Sequence, residues 1–307
     1  MATYVFLASS AYSGSTLLSF LLGAHPQIAT VSAASGGRRQ ARIETYRCSC
    51  GRLMRECPFW LAIRQAMRDR GYGDFGLEHF GLGFDARPGT RLERLRTGSL
   101  RWSWLEGARD AALGLLTSHA TQMEAVGRRN ADFAASVLQH EAASVYVDAS
   151  KERMRIRHLQ QHLPMPLKVV HLVRDVRGVA TSALHHASAA PGGPEAAARG
   201  WAATNRTILR HLDRLPAQDR ATVRYEDLCR DPVATMRRLY AFCGVDPSPA
   251  GNPLAGRGEQ HLIGNRRRLG AWDEITLDER WRTELSPDQQ ARIVAIGGSV
   301  QRRLYPG

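Results

Sequence analysis

Two short segments carry small polar and basic residues where the phosphates of a nucleotide could be held. The first runs from the apolar residues 4–8 through the small residues 9–16 into a second apolar stretch. The second follows residues 169–173 with Arg174 and, eight residues later, Ser182. Both patterns predict a strand, a turn and a helix, and the amide groups at a helix N-terminus favour anions. A nucleotide with phosphates at both ends needs two such sites, whereas ATP needs one.

The first turn resembles a P-loop in its spacing. Four residues separate Ser9 from Gly14, and Ser15 and Thr16 follow where that motif has Lys and Ser or Thr. Small residues let successive backbone N–H groups converge on an anion. Because no lysine is there to reach a γ-phosphate, the pattern disfavours a kinase or NTPase. A plain strand-to-helix turn with a serine cap is the alternative interpretation.

Together the two segments resemble the sulfotransferases that use 3′-phosphoadenosine 5′-phosphosulfate (PAPS), of the type found in bacteria. In that family the first loop holds the 5′-phosphosulfate, and a later Arg and Ser hold the 3′-phosphate. The resemblance therefore assigns the 3′-phosphate to Arg174 and Ser182. The donor-binding residues that it implies in the first loop are Tyr12, Ser13, Gly14, Ser15 and Thr16.

Two further segments agree with this family. Residues 224–228 read R-Y-E-D-L and are followed by Asp231-Pro232, which is similar to a family stretch and adds Tyr225 to the implied donor site. Residues 264–272 resemble the family's basic loop for the 3′-phosphate, which contains Gly and Trp. The implied phosphate ligands of this loop are Arg266, Arg267 and Arg268.

The first loop departs from the family at one position. Lys or Arg usually precedes the Ser-Gly pair, and here that residue is Tyr12. A tyrosine donates one neutral hydrogen bond and cannot neutralise charge on the sulfonate. Either another basic residue fills this role, with Lys151 and the pair Arg38 and Arg39 as the candidates, or the donor binds differently.

The predicted strand at 145–147 ends in residues that suit catalysis. Lys151 lies 23 residues before Arg174, and carbohydrate- and tyrosine-modifying branches of the family carry a Lys close to an Asp at this strand end. A cation there would stabilise charge on the bridging oxygen as the S–O bond breaks. A lysine at a helix start, pairing with Glu152 or solvent, is the alternative.

The general base that takes the acceptor proton is less well marked in the sequence. We rank Asp148 first, because it ends the same predicted strand, although a buried Asp would only orient Lys151 or cap a helix. His185, His186 and Glu44 are the other candidates.

Composition limits the classes of function. The chain has 307 residues with 42 Lys and Arg against 29 Asp and Glu, a net charge of +13. A basic surface attracts polyanions, so a nucleic-acid-binding module stays an alternative. No zinc-finger or RNP signature accompanies the charge, so we do not expect nucleic acid as the main partner.

The cysteines form two groups. Cys229 and Cys243 occupy positions that predict buried thiols. Cys48, Cys50 and Cys57 fall within ten residues, but the first pair is C-x-C rather than C-x-x-C and no fourth ligand lies nearby in the sequence. Free thiols, a disulfide and a zinc site stay open, and we assign no metal ligand.

Short β-rich runs at 4–8, 145–147, 169–173 and 222–224 alternate with helical segments, two of which begin with the caps Asp231 and Ser286. This alternation predicts an α/β fold, a P-loop-like parallel β-sheet with helices on both faces. We expect one sulfotransferase-like domain over residues 1–307, with a mobile insertion, poor in apolar anchors, at 71–100. No apolar run is long enough to span a membrane, and we expect a cytoplasmic protein.

The resemblance implies metal-free, in-line transfer of a sulfuryl group from PAPS to a hydroxyl or amine of a small-molecule, glycan or lipid acceptor. The other product is then adenosine 3′,5′-bisphosphate. A P-loop-like nucleotide- or anion-binding protein without transferase activity is the alternative that Tyr12 keeps open.

Overall fold

The computed structural model describes residues 2–35, 43–84, 98–100, 102–152, 154–185, 192–251, 259–264, 266–270 and 274–306. Its centre is a five-stranded sheet in which every neighbouring pair is parallel. The strands are β1 (Thr3–Ser9), β2 (Ile28–Ser32), β3 (Val145–Asp148), β4 (Leu167–Val173) and β5 (Arg220–Arg224). They lie in the order β2-β3-β1-β4-β5.

Helices fill most of the connections between these strands. The helices that begin before β4 are α1 (Ser15–Leu22), α2 (Pro58–Asp69), α3 (Ser103–Gly114), α4 (Thr117–Glu141) and α5 (Arg155–His162). The later ones are α6 (Val176–Leu184), α7 (Gly193–Leu212), α8 (Tyr225–Arg230), α9 (Pro232–Cys243), α10 (Trp281–Glu284) and α11 (Pro287–Leu304).

Both faces of the sheet are covered, as the predicted parallel sheet requires. Along β1, Tyr4 and Phe6 pack on one face with residues of α2, α4, α5 and α7. Val5 and Leu7 pack on the other face with α1, α8 and α9. All four side chains are buried, since successive residues of a strand point to opposite faces. The predicted α/β class with helices on both faces is confirmed.

The order of the strands brings the predicted site residues together at the carboxyl ends of the strands. After β1 the chain moves to β2 at one side of the sheet, and after β3 it crosses to β4 on the other side of β1. Ligands of such sheets bind outside the carboxyl ends of the strands, where the strand order reverses. The ends of β1, β3 and β4, which carry the predicted site residues, are therefore neighbours.

Local signals located several of these elements correctly. The predicted strands near residues 4, 145, 169 and 222 correspond to β1, β3, β4 and β5. Asp231 caps α9 by accepting a hydrogen bond from the Ala234 N–H at 2.9 Å. Ser286 caps α11 in a capping box with Gln289. The sequence analysis did not predict β2 or the 25-residue helix α4.

The expectation that residues 71–100 are poor in apolar anchors is wrong for residues 71–84, and the mobile insertion stays a prediction. Between residues 71 and 84, a row of aromatic and aliphatic side chains enters the core beside α2 and α4. Its buried members are Phe75, Leu77, Phe80, Leu82 and Phe84. The Arg129 Nε donates to the Phe80 carbonyl at 2.8 Å, which ties this segment to α4. Residues 85–97 lie outside the described residues.

Two further expectations concern burial and membranes. Cys229 and Cys243 are buried free thiols, as predicted. Within the described part of the chain, no helix combines the length and the hydropathy that crossing a bilayer requires. The single domain over residues 1–307 stays a prediction.

Candidate functional site

The loop between β1 and α1 has the backbone of an anion cradle. Tyr12 and Gly14 both adopt left-handed conformations, with φ of 63° and 90°. The Ser10 and Ser13 hydroxyl oxygens lie 2.7 Å apart and brace the turn. The N-cap residue of α1 is Gly14, which has no side chain to cap the helix, and the first turn of the helix contains no acidic residue. Its first N–H groups are therefore oriented to receive an anion.

Position 14 suits glycine for two reasons: its φ is left-handed, and a neighbouring ring leaves no room for a Cβ. A Cβ at this position would lie 2.6 Å from Cδ2 of Tyr225. The Tyr225 ring also packs against Arg174, whose Cζ lies 4.6 Å from the ring centroid. Tyr225 therefore connects the first loop to the residue at the end of β4.

Arg174 and Ser182 meet, as the sequence analysis predicted for a shared phosphate. The Arg174 Nη1 donates to Ser182 Oγ at 2.9 Å, across the first two turns of α6. The same nitrogen donates to the Tyr12 carbonyl at 3.3 Å. A Cβ on Gly178 would lie 2.8 Å from Nε of Arg174, so this glycine makes room for the guanidinium. One arginine thus joins the first loop to α6.

Asp278 supplies the negative charge beside this arginine. Its Oδ2 lies 3.0 Å from Nη2 of Arg174, and its carbonyl accepts a hydrogen bond from the same nitrogen at 2.8 Å. Hydrogen bonds from Arg280, and then from Arg174, hold the pKa of the Asp278 carboxyl well below its usual range. An anionic group therefore already contacts the side chain assigned to the 3′-phosphate.

Asp148 is the centre of a buried network. The carboxylate accepts hydrogen bonds from the Tyr4 hydroxyl at 2.8 Å and from Arg155 Nε at 2.6 Å. Its other oxygen accepts from the N–H and the hydroxyl of Ser150, at 2.9 and 2.5 Å. Asp148 and Arg155 are both fully buried. The geometry gives no support to a general base here, because a base must reach the acceptor, and it favours positioning of the loop that carries Lys151.

Lys151 lies just past this network with an exposed side chain. It borders a small recess formed with Ala8 and Ser9 at the end of β1, and with Thr204 and Ile208 of α7. The crowding of protein atoms around its ammonium nevertheless desolvates it and lowers its pKa to about 8. Lys151 is thus a cation beside the start of the first loop.

The basic loop is only partly described. Residues Arg266–Leu269 form a short 3-10 turn, and the side chains of Arg266 and Arg267 lie outside the described residues. Arg268 is buried and donates to the carbonyls of Gly264 and Arg47, at 2.8 and 2.6 Å. Its guanidinium therefore holds the loop in place, and phosphate binding by these three arginines stays a prediction.

The remaining candidates are dispersed over the molecule. Glu44 forms an exposed ion pair with Arg55. His185 Nε2 lies within hydrogen-bonding distance of a Glu284 carboxylate oxygen, at 2.6 Å. The structure brings neither of them into the groups described above, and His186, Arg38 and Arg39 lie outside the described residues.

Sequence reasoning missed two residues that form this site. Asp278 stands in a segment with no motif, so only the fold reveals that it contacts Arg174. Gly178 did carry a signal, because a glycine four residues after the arginine, inside a helix, points to a close approach. Glu226 of the R-Y-E-D-L stretch joins two parts of the chain here. Its carboxylate accepts hydrogen bonds from the Asp175 N–H at 3.0 Å and from the Tyr305 hydroxyl at 2.7 Å.

Comparisons with known proteins identify a family. Residues 94–249 match the model of the Sulfotransferase family, a stretch that includes Lys151, Arg174, Ser182 and Tyr225. Mouse carbohydrate sulfotransferase 5 is 30% identical over 203 residues, which cover 55% of this chain and 50% of that protein. The chain thus spans about half the length of this curated relative.

Solved structures show the same fold. The sulfotransferase domain of the Synechococcus olefin synthase superposes with a TM-score of 0.52 at 21% identity, covering 96% of this chain and 93% of that one. The sulfotransferase domain of the curacin biosynthetic pathway also gives 0.52, at 16% identity, with 96% and 97% covered. Since the family model matches half of the sequence, the chain belongs to the Sulfotransferase family.

Proposed function

We propose that the protein transfers a sulfuryl group from PAPS to a hydroxyl or amine acceptor. The observation that carries the proposal is the position of Arg174, which hydrogen-bonds both to Ser182 and to the Tyr12 carbonyl of the first loop. A single guanidinium thus links the two places where a donor with phosphates at both ends would be held. A nucleotide-binding protein that recognises only a 5′-phosphate would not need this link.

The residues of the site fit the proposed donor. The uncapped N-terminus of α1 and the left-handed backbone at Tyr12 and Gly14 suit the 5′ side. Arg174 and Ser182 suit the 3′-phosphate. Tyr225 packs between Arg174 and Gly14 of the first loop. When bound, the donor supplies the sulfuryl group, and the bisphosphate is the leaving product.

Lys151 has the charge that the reaction needs. In transfer the acceptor oxygen or nitrogen bonds to sulfur, the bond from sulfur to the bridging oxygen breaks, and the acceptor loses one proton. Negative charge grows on the bridging oxygen, and a cation held beside that oxygen stabilises the charge. Lys151, whose pKa is about 8, is still mostly protonated at neutral pH. In our proposal it takes over the role of the basic residue that Tyr12 replaces.

In our proposal Asp148 positions Lys151 and does not contact the substrate. Its carboxylate fixes Ser150, the residue before Lys151, through two hydrogen bonds. Truncating it would release the loop at the end of β3 and move the ammonium. The identity of the general base is not part of the proposal.

We propose the class of acceptor from the name of the curated relative. A carbohydrate hydroxyl is the first to test, because the curated relative is named a carbohydrate sulfotransferase. Phenols, lipids and amines complete the set. The bacterial type and the cytoplasmic location stay predictions from the sequence.

The test is a transfer assay with labelled PAPS against a mixed pool of glycans, lipids and phenols, resolved by mass spectrometry. We expect sulfated product and stoichiometric adenosine 3′,5′-bisphosphate from the wild-type protein, and neither from Arg174→Ala. Binding of the bisphosphate with no transfer to any member of the pool would favour the nucleotide-binding alternative. Salt-dependent binding to any polynucleotide, without preference for the bisphosphate, would favour a nucleic-acid-binding module.

A further inference from the structure

Four side chains that the sulfotransferase site does not use converge near the edge of the sheet. Cys48, Cys50 and Cys57 come from the loop before α2, and His261 comes from a segment 204 residues beyond Cys57. Their sulfur and nitrogen atoms all lie within 4.8 Å of one another. His261 is the fourth ligand that the sequence analysis did not find, because it is close in space and not in sequence.

The distances match a tetrahedral metal site. Zinc–sulfur bonds of about 2.3 Å and zinc–nitrogen bonds of about 2.0–2.1 Å at tetrahedral angles place two sulfurs about 3.8 Å apart and a sulfur and a nitrogen about 3.6 Å apart. Here the Sγ atoms of Cys50 and Cys57 are 3.7 Å apart. Nδ1 of His261 lies 3.6 Å from the Cys48 sulfur and 3.5 Å from the Cys57 sulfur.

The alternatives fit these distances less well. A disulfide requires two sulfurs about 2.05 Å apart, and all five cysteines of the chain are free. Unrelated buried thiols have no reason to bring three sulfurs and an imidazole nitrogen within 4.8 Å of one another, with three of the six distances at the tetrahedral values. Cys48 and Cys57 are completely buried, so the group is not a chance surface cluster.

The backbone holds the four residues in place. The Cys48 N–H donates to the Arg52 carbonyl, and Gly51, with φ of 87°, donates back to the Cys48 carbonyl at 3.0 Å. This tight turn brings Cys48 and Cys50 to one side. Cys57 immediately precedes α2, where the positive end of the helix favours a thiolate.

His261 is held by its own segment. Its ring stacks on Phe59 at 4.4 Å and an interplanar angle of 8°. The next residue, Leu262, exchanges hydrogen bonds with Ser49: its carbonyl accepts from the Ser49 N–H at 3.2 Å, and its N–H donates to the Ser49 hydroxyl at 2.7 Å. Two widely separated parts of the chain are thus hydrogen-bonded around the cluster, as the ligand loops of a structural metal site are.

We propose that Cys48, Cys50, Cys57 and His261 bind one zinc ion in a closed, structural site. Three thiolates and one imidazole satisfy its four positions, so none is left for a substrate or a catalytic water. Binding displaces the protons of the ligating thiols to solvent. This inference does not depend on the proposed sulfuryl transfer.

The site would join two distant parts of the chain beside the sheet. His261 precedes Ile263, whose N–H donates to the Val31 carbonyl of β2 at 3.1 Å. The same segment continues into the basic turn, where Arg268 donates to the Arg47 carbonyl. The metal would therefore fix the basic loop against the loop before α2.

The first test measures metal in the whole, tag-free protein, purified under reducing conditions without chelators. We expect about one zinc per chain by plasma mass spectrometry. His261→Ala and Cys57→Ser should each lower the zinc content at least about tenfold. Cys243→Ser removes a buried thiol elsewhere and should leave it unchanged. Equal metal content in all four proteins would overturn the proposal.

A second measurement covers the case in which these variants fail to fold. Cobalt exchanged into the wild-type protein should give the visible ligand-field bands and the near-ultraviolet thiolate charge-transfer bands of a tetrahedral thiolate site. Wild-type protein that neither contains nor takes up zinc or cobalt would contradict the site. So would a Cys50–Cys57 disulfide detected by peptide mapping of the freshly purified protein, alkylated before any reduction of the sample.

Discussion

The carboxylate of Asp278 lies 3.0 Å from the guanidinium of Arg174, the side chain that we assign to the 3′-phosphate. A bound phosphate must therefore share Arg174 with this carboxylate or displace it. We expect Asp278→Asn to tighten the binding of adenosine 3′,5′-bisphosphate roughly tenfold, because a competing charge-assisted contact is lost. Calorimetry measures the effect, and the neighbouring Glu279 provides the control Glu279→Gln. Weaker binding by Asp278→Asn would instead make Asp278 a support that orients Arg174.

The contact between Gly14 and Tyr225 gives a second prediction. Gly14→Val should abolish bisphosphate binding while the protein still melts cooperatively, because Cβ would overlap the Tyr225 ring and φ is 90°. Gly73→Val is the matched control, since a Cβ at Gly73 would point into open space. Unchanged affinity in a folded Gly14→Val protein would reduce the first loop to a structural turn.

Lys151 predicts the pH dependence of the reaction. Its pKa in the free protein is lowered to about 8 by desolvation, and only the protonated form stabilises the leaving oxygen. We expect kcat/KM for transfer to be retained below that pH and to fall as pH rises through it, since kcat/KM reports the free enzyme. Lys151→Arg should move this fall to higher pH. A fall at the same pH in Lys151→Arg would assign it to another group.

Removing Lys151 tests the size of its contribution. We expect Lys151→Ala to lower kcat by about 10²–10³ with little change in bisphosphate affinity. Tyr12→Phe should have a smaller effect, because only a neutral hydroxyl is lost. The other lysine of the chain is Lys168, which donates to the Phe242 carbonyl, so Lys168→Ala controls for loss of a lysine. A Lys151→Ala enzyme that keeps more than about a third of the wild-type kcat contradicts the role.

Because Asp148 and Arg155 form a buried ion pair, we expect a substitution of Asp148 to destabilise the protein. Asp148→Asn leaves the buried Arg155 with the partly buried Glu152, 3.3 Å away, as its remaining anionic partner and should lower the free energy of unfolding by about 3–5 kcal/mol. Urea unfolding measures this change, with Asp69→Asn as an exposed control. A variant of wild-type stability that has lost transfer would restore Asp148 as the general base.

The features that could be predicted from the sequence are those set by residues close together along the chain. Strand periodicity, the small residues before α1 and the caps at Asp231 and Ser286 are local signals, and the structure has the corresponding elements. The contact between Arg174 and Ser182 is also local, because α6 begins two residues after Arg174 and carries Ser182 within reach of it. That the two residues bind one phosphate stays a prediction.

What the sequence did not predict depends on distant contacts. Asp278 meets Arg174 from 104 residues away, and His261 meets Cys57 from 204 residues away. The short strand β2 was missed because its identity depends on pairing with β3, and a five-residue run carries little periodicity of its own. The buried aromatic residues of 71–84 resemble a loop in the sequence because glycines and charges separate them.

Calorimetry on the wild-type protein tests whether the protein recognises the 3′-phosphate. Adenosine 3′,5′-bisphosphate and AMP differ only in the group assigned to Arg174 and Ser182. A charge-assisted contact contributes about 1.5–3 kcal/mol, so we expect the bisphosphate to bind at least about tenfold more tightly, with the preference lost in Arg174→Ala. Equal affinities of the wild-type protein for the two nucleotides would contradict the account.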